Sequence, residues 1–171
     1  MKIICVSGGN YKSFYINCAT KQYQCDLLVF NSDIIYDYVV KDELLGDAIV
    51  TKELTALSKK MGCVVVAKVN VVLNKIVTKS LIVCDGEKLS VGPSKLGQKI
   101  CVKEKTFVVG DQNLKSTGCN KIVLSDKKIY PNLQSCASKR MYIFCDKKGT
   151  TVVVDKKMSR KFYKYSKIIL K

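Results

Sequence analysis

Histidine is absent from this sequence of 171 residues, and several reaction classes go with it. A Ser-His-Asp arrangement is excluded, and a tetrahedral zinc site loses its usual nitrogen ligand. No C-x-x-C pair is present to open a thiolate site, so neither a metal nor another cofactor is expected. No apolar run approaches the roughly 18 residues that a membrane span needs. Nothing at the start of the chain reads as a signal peptide. A cytoplasmic location without a membrane partner is therefore expected. Arginine is scarce too: of 30 Lys plus Arg, only Arg140 and Arg160 are arginine. Lysine lacks the planar fork that reads guanine or clamps phosphate. The formal net charge of +16 would attract anionic partners, but a lysine-rich solvated surface accounts for it equally well.

What is present points to a packed core. Apolar residues make up 47% of the chain, enough for one domain over residues 1–171 that buries about 70% of its unfolded surface. The nine cysteines include several inside apolar runs such as IICVS, GCVVVA and LIVCD, where they read as core filler. Their odd number and spread argue for free thiols in a reducing compartment. Cys119, beside Gly118 in a polar stretch, is the thiol expected to be exposed.

Runs rich in Val and Ile alternate with longer amphipathic segments, the pattern of an α/β or layered α+β domain. MKIICVS (1–7) reads as a strand, YKSFYINCATKQY (11–23) as a helix, and CDLLVF (25–30) as a buried strand. In KELTALSKKMG (52–62), Leu54, Leu57 and Met61 recur at helical spacing and Gly62 supplies the stop. CVVVAKVNVV (63–72) and IVTKSLIVCDG (76–86) form a hairpin around residues 73–75. SVGPSKLGQK (90–99), which holds Lys95, reads as a loop. KIVLS (121–125) is a strand, YPNLQSCASKRM (130–141) a helix with Pro131 in its first turn, and YIFCD and TTVVVD (142–146 and 150–155) two more strands. Residues 155–171 form a basic tail.

This order of elements, with its local motifs, resembles the nitrilase or carbon–nitrogen hydrolase superfamily, and the likeness covers about residues 1–154. The resemblance implies a nitrilase-like αββα sandwich, here shortened, and chemistry based on a Glu-Lys-Cys triad. The family's glutamate follows a strand ending V-F-P-E; CDLLVFNS has Asn31 for the proline and Ser32 for the glutamate. Its lysine lies in a loop, where DGEKLSVGPSKLG carries Lys95. KTFVVGD (105–111) is similar to the family's F-x-x-G-D. The nucleophile segment G-V-L-I-C-Y-D-I-R-F-P-E-L aligns without a gap on KIVLSDKKIYPNL when matched at Pro131. That places Ser125 at the cysteine, Asp126 at the tyrosine, Lys127 at the aspartate and Asn132 at the glutamate.

By that resemblance the triad positions are Ser32, Lys95 and Ser125, and two of the three have lost their chemistry. A serine hydroxyl is harder to ionise than a thiol and needs a stronger base, which Ser32 cannot supply. Asp33 adjoins the vacant glutamate position, but neighbouring strand residues face opposite sides. The expected function is thus that of an inactive nitrilase-like pseudoenzyme, a binding or assembly subunit. Its partner would be a second copy or a larger nitrilase-like chain, and a small amide a conceivable ligand.

Two alternatives remain open at this stage. A Ser125-Lys95 dyad could act as a residual amide hydrolase if Lys95 were buried, with a lowered pKa, beside Ser125; otherwise Ser125 caps a helix opening near Ile129 or fills the corner. The other is a nucleic-acid-associated module. DKKMSRKFYKYSK (155–167) interleaves cations and aromatics, and Arg160, Lys161, Tyr163 and Lys164 could join phosphate neutralisation to base stacking. A closing strand or helix with inward aromatics has the same pattern.

Overall fold

A computed structural model describes residues 1–7, 24–31, 39–41, 49–73, 75–114, 119–125, 127–146, 148–161 and 165–169. The short apolar runs become strands β1 (Lys2–Val6) and β2 (Leu27–Phe30), followed by β3 (Val39–Lys41). Helix α1 spans Ile49–Met61, three residues earlier than its periodic core suggests. Its buried Val50, Thr51, Leu54, Leu57 and Ser58 fall on one face, and Lys59 and Lys60 occupy the last turn, where the helix dipole favours cations. Gly62, at φ +59, ends it in the left-handed region.

Strands β4 (Val64–Leu73) and β5 (Ile76–Asp85) form the expected hairpin, paired antiparallel from Val64↔Asp85 to Leu73↔Ile76. The segment 90–99 is only partly a loop. Strand β6 (Lys88–Pro93) pairs with β5 as an edge strand, a setting that tolerates Gly92 and Pro93. A turn then leads into β7 (Gln98–Val102). Strands β8 (Lys105–Asp111), β9 (Asn120–Leu124), β10 (Met141–Asp146) and β11 (Gly149–Val154) follow.

The helix expected over 130–141 is not formed. Leu133–Ser135 make a single 3-10 turn, capped by Asn132, whose side chain accepts from the Gln134 N–H. Asn132 and Ser135 bond their own backbone here, and such local bonds compete with helix. Lys139 stands at φ +59, outside any right-handed helix. The basic tail is also structured: β12 (Lys157–Lys161) pairs with β11, and β13 (Tyr165–Ile169) pairs with β1. The expected helix over 11–23 lies outside the described residues.

These strands build two mixed sheets. One has the order β13-β1-β2-β4-β5-β6, with β3 also on β4; the other runs β12-β11-β10-β9-β8-β7. Each has a parallel centre, β1-β2-β4 in the first and β8-β9-β10 in the second. Alternate residues of each strand face inward, so Ile3, Cys5, Leu27, Val29, Val64 and Val66 meet Phe107, Val109, Ile122, Leu124, Ile143 and Cys145 between the sheets. The other face of the first sheet, including Leu28, Phe30, Val65 and Ala67, is covered by Val50, Leu54 and Leu57 of α1. On the outer face of the second sheet, Tyr142 and Val153 are covered by Cys136 and Leu133 from the 3-10 segment. At about 1.5–3 kcal/mol for each large apolar side chain fully buried, the inter-sheet layer and the layer under α1 are both large contributors to stability.

Candidate active-site cleft

Two chain corners meet at one end of the sandwich. β2 and β9 are the central parallel strands of their sheets, and Asn31 and Ser125 follow their last residues, at carboxyl ends where α/β sheets place ligands. Asn31 is fully buried, and its Nδ2 donates to the Ser125 carbonyl at 2.8 Å, tying one sheet to the other. Ser7, just after β1, adds a second link, with its Oγ 3.1 Å from Thr150 Oγ1.

Ser125 is 3% exposed. Its N–H donates to the Cys145 carbonyl at 2.9 Å. The hydroxyl accepts from the Lys127 N–H at 3.1 Å and donates to Gln112 Oε1 at 3.4 Å. It therefore closes a local turn of the Ser/Thr type and caps no helix. Gln112 is a neutral acceptor, far too weak a base to ionise a serine.

Lys95 stands in the turn between β6 and β7. Ser94 fixes that turn: its N–H donates to the Lys79 carbonyl at 3.1 Å, its carbonyl accepts from the Asp111 N–H at 3.0 Å, and its hydroxyl donates to Asp111 Oδ2 at 3.2 Å. The glycine-acid pair at the end of β8 thus has a physical purpose. Asp111 anchors the turn, while a Cβ on Gly110 would lie 3.1 Å from the Ser94 carbonyl and 3.0 Å from Leu114. Lys95 and Ser125 do line one cleft of ≈ 240 Å³, together with Lys68, Lys79, Lys127, Asp111, Gln112 and Asn113. Lys95 itself is exposed, so the burial that a Ser125-Lys95 dyad requires is missing. Ser32 and Asp33 lie outside the described residues.

Sequence reasoning missed Asn31 as a link between the sheets, and it missed Lys68. The available signal for Lys68 was a lone cation inside the apolar run CVVVAKVNVV, on the same strand face as Val64 and Val66. Lys68 is 3% exposed and reaches the cleft from β4.

A displaced nucleophile is equally hard to place. Cys145 is fully buried beside the Ser125 corner, and its thiol is pushed well above the usual range by the hydrogen bond with Cys5 and then by burial. A thiol so shifted is inert. Cys84 is raised by burial, and Cys25 is lowered by its hydrogen bond with Cys63. Cys5, Cys25, Cys63, Cys84, Cys136 and Cys145 are buried, as expected of core filler. Among the described cysteines the exposed thiol is Cys101 at the edge strand β7, and Cys119 is half-buried. Among the described residues no His, Cys, Asp and Glu side chains gather into a group of three or more fit for a metal ion, and no helix is long and apolar enough to cross a membrane.

Of the four residues assigned to nucleic acid, Arg160 and Lys161 are described. Arg160 is turned inward: its Nη2 donates to both oxygens of the fully buried Asp146, at 3.0 and 2.8 Å, and its Nη1 to Thr151 Oγ1 at 2.8 Å and the Ile129 carbonyl at 3.3 Å. Its guanidinium serves the fold. Lys161 ends β12. Tyr163 and Lys164 lie outside the described residues.

No family model matches the sequence, and no curated protein is similar to it in sequence. Solved structures do match. A CN-hydrolase superfamily protein from Xanthomonas campestris superposes with a TM-score of 0.66 at 9% identity, over 98% of this chain and 89% of that one. A cysteine-to-serine mutant of the Nesterenkonia AN1 amidase, from the nitrilase superfamily, gives 0.63 at 8% identity, over 98% and 89%. The NitN amidase of Nesterenkonia sp. AN1 gives 0.63 at 7% identity, over 100% and 93%. With two mixed sheets packed face to face, α1 on one of them and Ser125 and Lys95 in one cleft between strand ends, the chain has the layered α/β fold of the nitrilase, or carbon–nitrogen hydrolase, superfamily.

Proposed function

We propose that this protein is a nitrilase-like pseudoenzyme that does not hydrolyse amides and serves as a binding or assembly subunit. The observation that carries this reading is the state of the Ser125 hydroxyl, which is buried in a turn between the Lys127 N–H and the Gln112 amide oxygen. A nucleophile needs a base within hydrogen-bond reach. Among the described residues that line the cleft the carboxylate is Asp111, and its oxygens accept from the Ser94 hydroxyl and the Asn113 N–H. What remains is a framework built as in the superfamily, with a cleft at the usual end and lysines around it. On this reading the partner is a second copy or a larger nitrilase-like chain, and the cleft is where a small ligand would bind.

The dyad reading asks for a buried Lys95, and the nucleic-acid reading for an available Arg160; the exposure of one and the engagement of the other weigh against both. The direct test is ammonia release from a panel of short aliphatic amides, comparing the wild type with Ser125→Ala. Equal background rates are expected. Release that the substitution abolishes would overturn the proposal.

A further inference from the structure

Two pairs of cysteines touch inside the sandwich, and they differ in what can reach them. Cys5 and Cys145 hydrogen-bond within the inter-sheet layer, both fully buried. Cys25 and Cys63 hydrogen-bond at the amino ends of β2 and β4. There Cys63 lines a cleft of ≈ 300 Å³ together with Asp26, Asp85, Cys101 and Lys103. All four cysteines are free thiols. The second pair has a route to solvent that full burial denies the first.

The backbone holds Cys25 and Cys63 at a separation that suits a disulfide. The Asp26 N–H donates to the Lys2 carbonyl at 2.8 Å and the Val64 N–H to the Asp26 carbonyl at 3.2 Å, which fixes the entry to β2 between β1 and β4. Cys63 is held from α1: its N–H donates to the Ser58 carbonyl at 3.3 Å, and its carbonyl accepts from the Ser58 hydroxyl at 2.7 Å. Because Leu27 pairs with Val64, Cys25 and Cys63 are diagonal neighbours just before the pairing begins. Such a diagonal between adjacent strands is about 5–6 Å, within the roughly 4.4–6.8 Å between Cα atoms that a disulfide spans. Both side chains enter the core cluster beneath α1, so they lie on one side of the sheet. The hydrogen bond with Cys63 holds the Cys25 pKa below the usual thiol value, although burial and the Asp26 carboxylate push it up. That favours thiolate at Cys25, the form that reacts with oxidants.

We propose that Cys25 and Cys63 are a redox site, a dithiol that a peroxide converts reversibly to a disulfide. The Cys25 thiolate attacks one oxygen of hydrogen peroxide and breaks the O–O bond, leaving a sulfenic acid. The departing hydroxide takes up the proton that Cys25 had lost and becomes water. The Cys63 sulfur then attacks the Cys25 sulfur: the S–S bond forms, the S–O bond breaks, and hydroxide leaves as water with the Cys63 proton. Two thiols and one peroxide thus become one disulfide and two waters, with two electrons passing from sulfur to oxygen. A dithiol reductant reverses the change by thiol–disulfide exchange. The link joins the entry of β2 to the end of α1 and closes a long loop, so it constrains the unfolded chain and stabilises the fold. The site lies apart from the Ser125 cleft and does not depend on whether amides are hydrolysed there.

The test is peptide mapping by mass spectrometry. The full chain is reduced, exposed while folded to a modest excess of hydrogen peroxide, and then alkylated in urea and digested without reductant. A cross-linked pair of peptides holding Cys25 and Cys63 is expected, and it should disappear on adding dithiothreitol. The oxidised protein should also unfold at a higher urea midpoint than the reduced one. Cys25→Ser should abolish that shift, whereas Cys101→Ser, which removes the other thiol of the cleft, should leave it. Should Cys25→Ser fail to fold, mapping of the wild type decides, since it needs no variant. A link from either cysteine to Cys101, or to Cys18, which lies outside the described residues, would overturn the proposal. So would a Cys25–Cys63 link that forms only in urea, or no link under conditions that oxidise Cys101. A Cys5–Cys145 link formed as readily would overturn it too, because access is what separates the two pairs.

Discussion

Asp146 shows how much one residue can decide. Its two oxygens accept from Arg160 Nη2, from the Ile129 N–H at 2.9 Å and from the Lys148 N–H at 2.8 Å, so the buried carboxylate is fully satisfied. Arg160→Met leaves that charge buried without its counter-ion and should cost about 3–5 kcal/mol of stability in urea unfolding. Arg160→Lys should restore only part of it, because a single ammonium cannot reproduce the fork. A loss under about 1 kcal/mol would mean that the pair behaves as an exposed one. Ser125→Ala should by contrast stay within about 1 kcal/mol, the size of a lost turn or cap bond. Among the described thiols, a soluble disulfide reagent should modify Cys101 early and Cys145 only on unfolding, since Cys101 is exposed and Cys145 is buried with a raised pKa. Early loss of Cys145 would contradict that order. Such roles were poorly legible in the sequence. Arg160 sits among lysines in an apparently solvated stretch, and only its rarity as an arginine hinted at a planar, buried partner.

At the scale of elements, the turn carrying Lys95 depends on Gly97. Its φ is +73, and a Cβ there would come within 2.5 Å of Leu114 Cδ1 and 3.1 Å of the Val109 carbonyl. Gly97→Ala should lower stability by at least about 1–2 kcal/mol from the left-handed conformation alone, read as a lower urea midpoint with an unchanged slope. An unchanged midpoint would show that the turn adjusts freely. Elements with strong periodicity were legible: α1 from Leu54, Leu57 and Met61, and the β4–β5 hairpin from two long β-branched runs. The segment 130–141 was not. Leu133, Cys136 and Met141 suggest a helical face, but Asn132 and Ser135 form competing backbone bonds and Lys139 leaves the right-handed region. Strand β6 was hidden by Gly92 and Pro93, residues that signal a loop unless the strand is at an edge.

For the whole molecule, charge and topology matter together. Asp26 joins the start of β1, through the Lys2 N–H at 2.6 Å, to the β7–β8 turn, through Lys103 Nζ at 3.0 Å. Burial pushes its carboxyl pKa up, but the Lys2 N–H, Lys103 and the chain's amino terminus outweigh it and hold the group below its usual value. A depressed pKa means stability that is complete above the unfolded value, about 3.9, and is lost as pH falls through the lower folded value. Asp26→Asn should therefore be less stable than wild type at pH 7, by about 1 kcal/mol or less given solvent screening. That gap should close as pH drops below about 4. A gap that widened in acid would refute the linkage. The corners at Ser125 and Lys95 could be located from the order of weak motifs, because each lies beside a recognisable strand. That β12 and β13 would close the edges of two different sheets could not, because pairing partners far apart in sequence leave no local pattern.

The central claim is that the cleft keeps the superfamily's architecture without its hydrolytic chemistry. The most direct test is ammonia release from short amides by wild type and Ser125→Ala, measured side by side at neutral pH. The account predicts that the two are indistinguishable from the uncatalysed background. Release by the wild type that disappears in Ser125→Ala would contradict it and make Ser125 a working nucleophile.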